Sequence, residues 1–139
     1  QYQPICDIII GAAAVGDFRI KTIAEQKLKK TENASEELVL TLTGTTDILK
    51  TLGQNKKPAQ VMVGFAAETE NIITNAKKKL ESKNLDFIVA NDVTMEGAGF
   101  ASDTNIVTFI SRNGDIESLP KMSKQDVATA ILDKVVKLL

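Results

Sequence analysis

Two rhythms of apolar and polar residues run through the chain. Short, nearly unbroken apolar runs bounded by turn residues occur at Cys6–Ala13, Val61–Ala67 and Leu85–Ala90. Runs of this length suit strands of a sheet that is covered on both faces. Glu37–Gly44 (ELVLTLTG) alternates weakly and is rich in Leu and Thr, which predicts a further strand. Elsewhere the period lengthens. Ile72, Ala76 and Leu80 recur every fourth residue with Ile73 beside them, predicting a helix over Thr69–Ser82. Val127, Ile131, Val135 and Leu138 mark a last amphipathic helix, opened by Ser123 and Asp126 in the manner of a capping box. Thr46–Leu52 predicts a short helix capped by Thr45 or Thr46, with Asp47 in its first turn. Ala14–Lys30 lacks a clean period and reads as an ordered loop. Lys29–Glu36 is turn-like, and Gly53–Pro58 is a lysine-bearing loop. Ile106–Ser111 and Ile116–Leu119 flank Arg112–Asp115, whose Asn113-Gly114 step predicts a hairpin.

Strands alternating with helices predict an α/β fold, a mainly parallel Rossmann-like layered sheet with a C-terminal antiparallel hairpin. In such sheets ligands collect beyond the carboxyl ends of the strands. Those ends are Ala12–Asp17, Phe65–Glu68 and Ala90–Asp92, each combining small or apolar residues with a polar group.

Composition narrows the chemistry. The 139 residues are enough for one modest domain. The net charge of −1 gives no electrostatic reason for a nucleic-acid or membrane partner. The absence of His excludes a His-based triad or His-ligated metal within this sequence. A single Cys, Cys6, excludes an internal disulfide and a cysteine-based zinc site, and in its apolar run it reads as a small hydrophobe. No apolar run reaches the length of about 18 that a membrane helix needs, and no signal-peptide pattern opens the chain, so the expected location is the cytoplasm. Gln1–Pro4 lead straight into a core strand, which suggests a fragment of a longer protein.

Several groups are candidates for chemistry. Small residues at Ala12–Ala14 either serve tight helix–sheet packing or leave backbone N–H and C=O groups open to a base or carboxylate. Asp17 either pairs with Arg19 or holds a divalent cation that bridges phosphates. Lys27–Lys30 (KLKK) is either a solvated turn or a set of point charges for phosphate. Lys79 and Lys83 each lie three residues after a stripe position and so border the buried stripe. As i, i+4 neighbours they suit one shared anion, whereas Lys77 and Lys78 suit plain solvation. Phe65 follows Gly64 at a strand end, where it either packs in the core or stacks on a planar ring. The common glycine-rich phosphate-binding fingerprints are absent.

Six segments together resemble the phosphopantothenoylcysteine synthetase (phosphopantothenate–cysteine ligase) family, usually the C-terminal half of a bifunctional coenzyme A biosynthesis protein. They are AAAVGDFR (Ala12–Arg19), KLKK (Lys27–Lys30), TTDIL (Thr45–Leu49), VGFAAET (Val63–Thr69), KNLDFIVANDV (Lys83–Val93) and GFASDTN (Gly99–Asn105). Their order and spacing match over nearly the whole chain. The resemblance implies CTP-dependent activation of 4′-phosphopantothenate to an acyl-cytidylate, followed by attack of the cysteine amine.

It also implies site residues. Gly11, Ala12 and Ala13 fall at the nucleotide-contacting strand end, with Ala13 and Ala14 toward the acyl substrate. Asp17 matches the nucleotide and Mg²⁺ aspartate. Lys27 matches a catalytic, nucleotide-contacting lysine of the second half-reaction. Thr46, Asp47, Ile48 and Leu49 match a nucleotide-contacting segment, Phe65 the nucleotide-site phenylalanine, and Lys79 and Lys83 the CTP lysines. Gly16 stands where relatives carry Ala, and Thr46 where they often carry Pro. The resemblance further implies a homodimer and an upstream flavin-dependent decarboxylase fusion. The family's glycine-rich T-x-x-G strand–loop and its N-x-S-S-G segment are absent, so residues 1–139 are expected to be one nucleotide-binding domain lacking its N-terminal portion. The alternative is a catalytically incomplete nucleotide-binding or dimerisation fragment of the same enzyme.

Overall fold

The apolar runs build a sheet whose central strands are sealed on both faces. The computed structural model describes residues 2–28, 38–92, 94 and 102–139. In chain order the elements are β1 (Ile8–Gly11), β2 (Phe18–Ile20), β3 (Leu42–Gly44), α1 (Ile48–Gln54), β4 (Val61–Glu68), α2 (Ile72–Ser82), β5 (Phe87–Asp92), β6 (Thr104–Asn105), β7 (Val107–Ser111), β8 (Ile116–Ser118), β9 (Met122–Ser123) and α3 (Lys124–Val136). A single 3₁₀ turn, Gln3–Ile5, precedes β1. Two compact units result: Gln1–Ala13 together with Ile48–Leu139, and Ala14–Asp47. Among the described residues no helix is long and apolar enough to cross a membrane.

The first unit holds a five-stranded sheet in the order β1-β4-β5-β7-β8. β1, β4 and β5 are parallel, while β7 and β8 add antiparallel pairs at the far edge. Successive side chains alternate between faces. On one face Val61, Val63, Phe87, Val89, Val107 and Phe109 pack under Val127, Ile131 and Val135 of α3. The Phe87 and Phe109 rings meet edge-on with centroids 5.7 Å apart. On the other face Met62, Ala66, Ile88, Ala90 and Ile110 pack under Ala76 and Leu80 of α2, with Leu49 and Leu52 of α1 beside them. Each fully buried side chain of this size contributes roughly 1.5–3 kcal/mol. The sequence stripes therefore specify both layers. Leu138 departs from its stripe: α3 ends at Val136, and Leu138 is 48% exposed beyond it.

β1 departs from its expected cover. It lies at the sheet edge, and Ile8 and Ile10 remain 37% and 38% exposed because α3 packs over β4, β5 and β7 instead. Its lead-in is held by a buried glutamine. Gln60 Nε2 donates to the carbonyls of Gln3 and Cys6, both at 2.6 Å, while its Oε1 accepts from Lys57 N–H at 3.0 Å. At the amino end of the sheet, Asp86 accepts Lys56 Nζ and the Met62 N–H, each at 2.6 Å. This carboxylate ties the starts of β4 and β5 together.

Chain punctuation follows local chemistry. Ser123 caps α3, its Oγ accepting the Asp126 N–H at 3.0 Å. Gly114 has φ +98° in the turn between β7 and β8, as the Asn-Gly step predicts. α1 starts at Ile48, two residues later than the Thr46 start its sequence predicts.

In the second unit β2 and β3 pair antiparallel, with Phe18 opposite Gly44 and Ile20 opposite Leu42. β2 falls inside a stretch that reads as loop. Its three residues carry no alternation, and its partner lies more than 20 residues away, so a local window has nothing to detect. The predicted strand Glu37–Gly44 shortens to Leu42–Gly44, and Glu37 lies outside the described residues.

At Gly53 a Cβ would lie 1.9 Å from the Lys83 backbone carbonyl oxygen, so no side chain fits without moving backbone. Gly53→Ala is expected to lower stability by about 1–3 kcal/mol, the range for overpacking. Urea unfolding should show a lower midpoint at unchanged slope. Loss of less than about 0.5 kcal/mol would contradict this close approach.

Candidate functional site at the strand carboxyl ends

The residues nominated from sequence fall in both units, and the structure groups them unequally. In the first unit, β1 ends at Gly11, and Ala12 and Ala13 follow it exposed. A Cβ on Gly11 would meet Leu49 Cδ1 at 2.8 Å, and one on Gly64 would meet Leu49 Cδ2 at 3.0 Å. The two glycines thus make room for Leu49, whose side chain packs against the sheet. Tight packing accounts for Gly11. It does not account for Ala12 and Ala13, which stay exposed. Ile48, one residue earlier, is 52% exposed. Phe65 is half-buried against the α3-side core, at the carboxyl half of β4.

In the second unit, two of the recognised segments are clasped together. The Thr45 N–H donates to the Asp17 carbonyl at 2.9 Å, and Thr45 Oγ1 donates to the Gly16 carbonyl at 2.6 Å. Register between β2 and β3 thereby sets GDFR beside GTTD. Ala14, Asp17, Thr46 and Asp47 are exposed around this clasp, and the Asp17 carboxylate is available to solvent. Arg19 Nη1 donates to the Ile20 carbonyl at 3.4 Å, and no ion pair with Asp17 is formed among the described residues. Lys27 is exposed in irregular chain, while Lys29 and Lys30 lie outside the described residues.

The helix lysines behave as their spacing predicts. Lys77 and Lys78 are exposed, whereas Lys79 and Lys83 are half-buried. Lys79 Nζ contacts Glu68 Oε1 at 2.6 Å, and Asn75 Nδ2 donates to Glu68 Oε2 at 3.3 Å. Glu68, at the last position of β4, is a partner that sequence reasoning did not nominate. Its signal was an acid at a strand end, followed by a lysine on the helix that runs back along that strand. Lys83 is placed differently. α2 links parallel strands and so returns toward the amino end of the sheet, where the Asp86 N–H donates to the Met62 carbonyl. Lys83 follows α2, about 16 Å along the axis from Ile72. Its carbonyl meets Gly53, far from the carboxyl end that carries Phe65.

A hollow of about 480 Å³ opens on the α2 side of the sheet, between the first turn of α2 and Ala90, Thr108 and Ser118. None of the nominated residues lines it. Among the described residues no group of three or more Cys, Asp or Glu gathers that could cage a metal.

The family model described as the DNA/pantothenate metabolism flavoprotein C-terminal domain matches residues 1–139. The chain belongs to this family. A relative from Bacillus subtilis (strain 168), the coenzyme A biosynthesis bifunctional protein CoaBC, is 52% identical over 132 residues, 95% of this chain. A cysteine/cysteine sulfinic acid decarboxylase from an unknown prokaryotic organism is 44% identical over 133 residues, 96% of this chain. The chain spans 32% of the first protein's length and 36% of the second's. A solved C-terminal domain of a CoaBC protein superposes with a TM-score of 0.74 at 37% identity, covering 96% of this chain and 55% of that one. The α/β architecture with parallel β1, β4 and β5 is thus that of this domain family.

Two of the ion pairs, Lys56–Asp86 and Lys79–Glu68, separate structure from function. Lys56 and Asp86 have side chains 10% and 24% exposed, whereas Lys79 and Glu68 are 42% and 14% exposed, so the cation of the second pair stays in solvent. Lys56→Met strands a largely buried carboxylate and is expected to lower stability by about 1–3 kcal/mol. Glu68→Gln is expected to change it by less than about 1 kcal/mol. Chemical denaturation of both variants checks the contrast, and equal losses would mean that Lys79 is held for folding.

Proposed function

We propose that this region is the nucleotide-handling part of a phosphopantothenate–cysteine ligase in coenzyme A biosynthesis. The observation that carries the reading is the set of six segments, in order and spacing, within a chain that matches the family over residues 1–139. In this reading the carboxylate of 4′-phosphopantothenate attacks the α-phosphorus of CTP. The bond to pyrophosphate breaks and an acyl-cytidylate forms. The cysteine amine then attacks the acyl carbon, loses a proton, and expels CMP to leave the amide. A free carboxylate resists amines at neutral pH, and the nucleotidyl group supplies the leaving group.

The residues take the following roles. Exposed backbone at Ala12 and Ala13, with Phe65, faces the nucleotide, and Ala14 faces the acyl substrate. Thr46 and Asp47 of the second unit, in the segment that Thr45 clasps to Asp17, and Ile48 and Leu49 of the first unit each take the nucleotide contacts that the resemblance implies. Lys79 and Lys83 supply cations for the triphosphate. Lys27 acts after activation, on the acyl-cytidylate.

Mg²⁺ fits Asp17 in one manner only. A single exposed carboxylate offers one ligand, and Mg²⁺ commonly takes one or two carboxylates with phosphate oxygens and water completing its shell. Asp17 would hold the ion, which neutralises phosphate charge when bound.

A second reading is that this region alone binds nucleotide without turnover. It is favoured by the fraction of relatives it represents, 32% of the Bacillus protein and 55% of the solved domain. An upstream flavin-dependent decarboxylase belongs to the same proposal. Release of pyrophosphate from CTP and 4′-phosphopantothenate, before cysteine is added, tests the ligase reading in the complete polypeptide. No pyrophosphate from these substrates, with CO₂ released once cysteine is added, would reject it in favour of decarboxylation.

Two variants test the roles. Lys79→Gln is expected to raise the CTP dissociation constant about tenfold or more, since a charge-assisted phosphate contact is lost. Calorimetric titration reads this, and unchanged affinity would sink the assignment. Lys27→Gln is expected to let the acyl-cytidylate accumulate while pyrophosphate is still released. Normal amide formation in a single-turnover assay would reject that role.

A further inference from the structure

We infer that Glu68 is a positioning residue, holding the Lys79 ammonium in place at the carboxyl end of β4 so that it meets an anionic phosphate group already ordered. The inference rests on the triphosphate role proposed above for Lys79 and adds the side chain through which that role is set.

Three observations carry it. First, Glu68 breaks an apolar file. Alternation along β4 puts Met62, Ala66 and Glu68 on the α2 face, where the first two are buried in the core cluster. A carboxylate stands where that file reaches the strand end. Second, both of its oxygens are engaged, by two residues one turn apart on α2. Lys79 Nζ donates to Oε1 at 2.6 Å, and Asn75 Nδ2 donates to Oε2 at 3.3 Å. The same Nδ2 also donates to the Glu70 carbonyl at 3.1 Å, which ties the amide to the loop that joins β4 to α2. Third, the burial is uneven. The carboxylate side chain is sunk against the helix, while much of the lysine side chain remains in solvent.

The chemistry follows from a count of donors. An ammonium carries three N–H groups and no acceptor. Glu68 takes one of them, so two remain for an anion outside, and the carboxylate and the phosphate share the cation. Lysine has a flexible four-carbon stem. Fixing such a side chain at the moment of binding costs roughly two- to tenfold in affinity. Glu68 removes that cost before the ligand arrives. Its own charge would repel a phosphate were it not matched by Lys79, so the acid serves binding only through the lysine.

The test uses the complete polypeptide, with CTP titrated by calorimetry, steady-state pyrophosphate release, and chemical unfolding without nucleotide. Glu68→Gln keeps the shape and removes the charge. It is expected to weaken CTP about two- to tenfold, and to raise the KM for CTP by the same factor with kcat within about twofold. In the Lys79→Gln background the same change is expected not to weaken CTP, because the residue it acts through is gone. Glu68→Asp keeps the charge on a shorter arm and is expected to fall between wild type and Glu68→Gln. Unchanged CTP affinity in Glu68→Gln overturns the inference, and tighter affinity does so by making Glu68 a mask on Lys79. Equal weakening in both backgrounds overturns it, as does a fall in kcat at constant KM. Glu68→Gln and Glu68→Asp proteins that both fail to fold assign Glu68 to folding and overturn it as well. All of these leave the nucleotide reading intact where Lys79→Gln alone weakens CTP. If Lys79→Gln alone leaves CTP affinity unchanged, the triphosphate role of Lys79 fails and the inference falls with it.

Discussion

The parallel pairing of β4 with β5 is the contact on which the rest of the first unit depends. Six residue pairs are in register along it, and the side chains it carries feed both apolar clusters. Parallel strands gain their stability from cover on both faces, and this pair has it, from α3 on one side and α1 with α2 on the other. Asp86 fixes the amino end by holding Met62 and Lys56. The carboxyl end is left to Phe65, Ala67 and Asn91, where apolar packing thins and polar atoms begin. Ion-paired anchoring and open surface thus fall at opposite ends of one strand pair.

Much of this was legible in the sequence because the apolar period and the burial share one cause. Val127, Ile131 and Val135 recur at helical spacing because α3 has a single sheet to face, and all three are buried. Asn113-Gly114 announced the β7–β8 turn because Gly114 takes a positive φ that other residues rarely adopt. What escaped was non-local. β2 exists only because β3 returns to it, and no property of Phe18–Ile20 alone reports that. β1 reads as a buried strand from its isoleucines, yet its edge position is a matter of topology rather than of composition.

The candidate site shows the same division. Spacing on α2 separated solvated Lys77 and Lys78 from half-buried Lys79 and Lys83, since helix geometry is local. It could not reveal that Lys79 lies on Glu68, or that Lys83 is carried to the other end of the sheet. Those facts depend on the direction of α2 relative to β4. Small residues in GAAAV resolve into two kinds: Gly11 yields space to Leu49, whereas Ala12 and Ala13 leave backbone in the open. One motif thus carries a packing requirement and a surface in consecutive residues.

The seat of β1 carries an implication about chemical ageing. Its lead-in is held by one primary amide, Gln60, whose Nε2 serves two carbonyls at once. Hydrolysis of that amide to a carboxylate exchanges a double donor for an acceptor, turned toward two oxygens that repel it. The damage would fall on the segment that delivers Gly11, Ala12 and Ala13 to their place. The durability of the strand-end surface is therefore tied to an ammonia-losing reaction of a buried side chain that lies outside that surface.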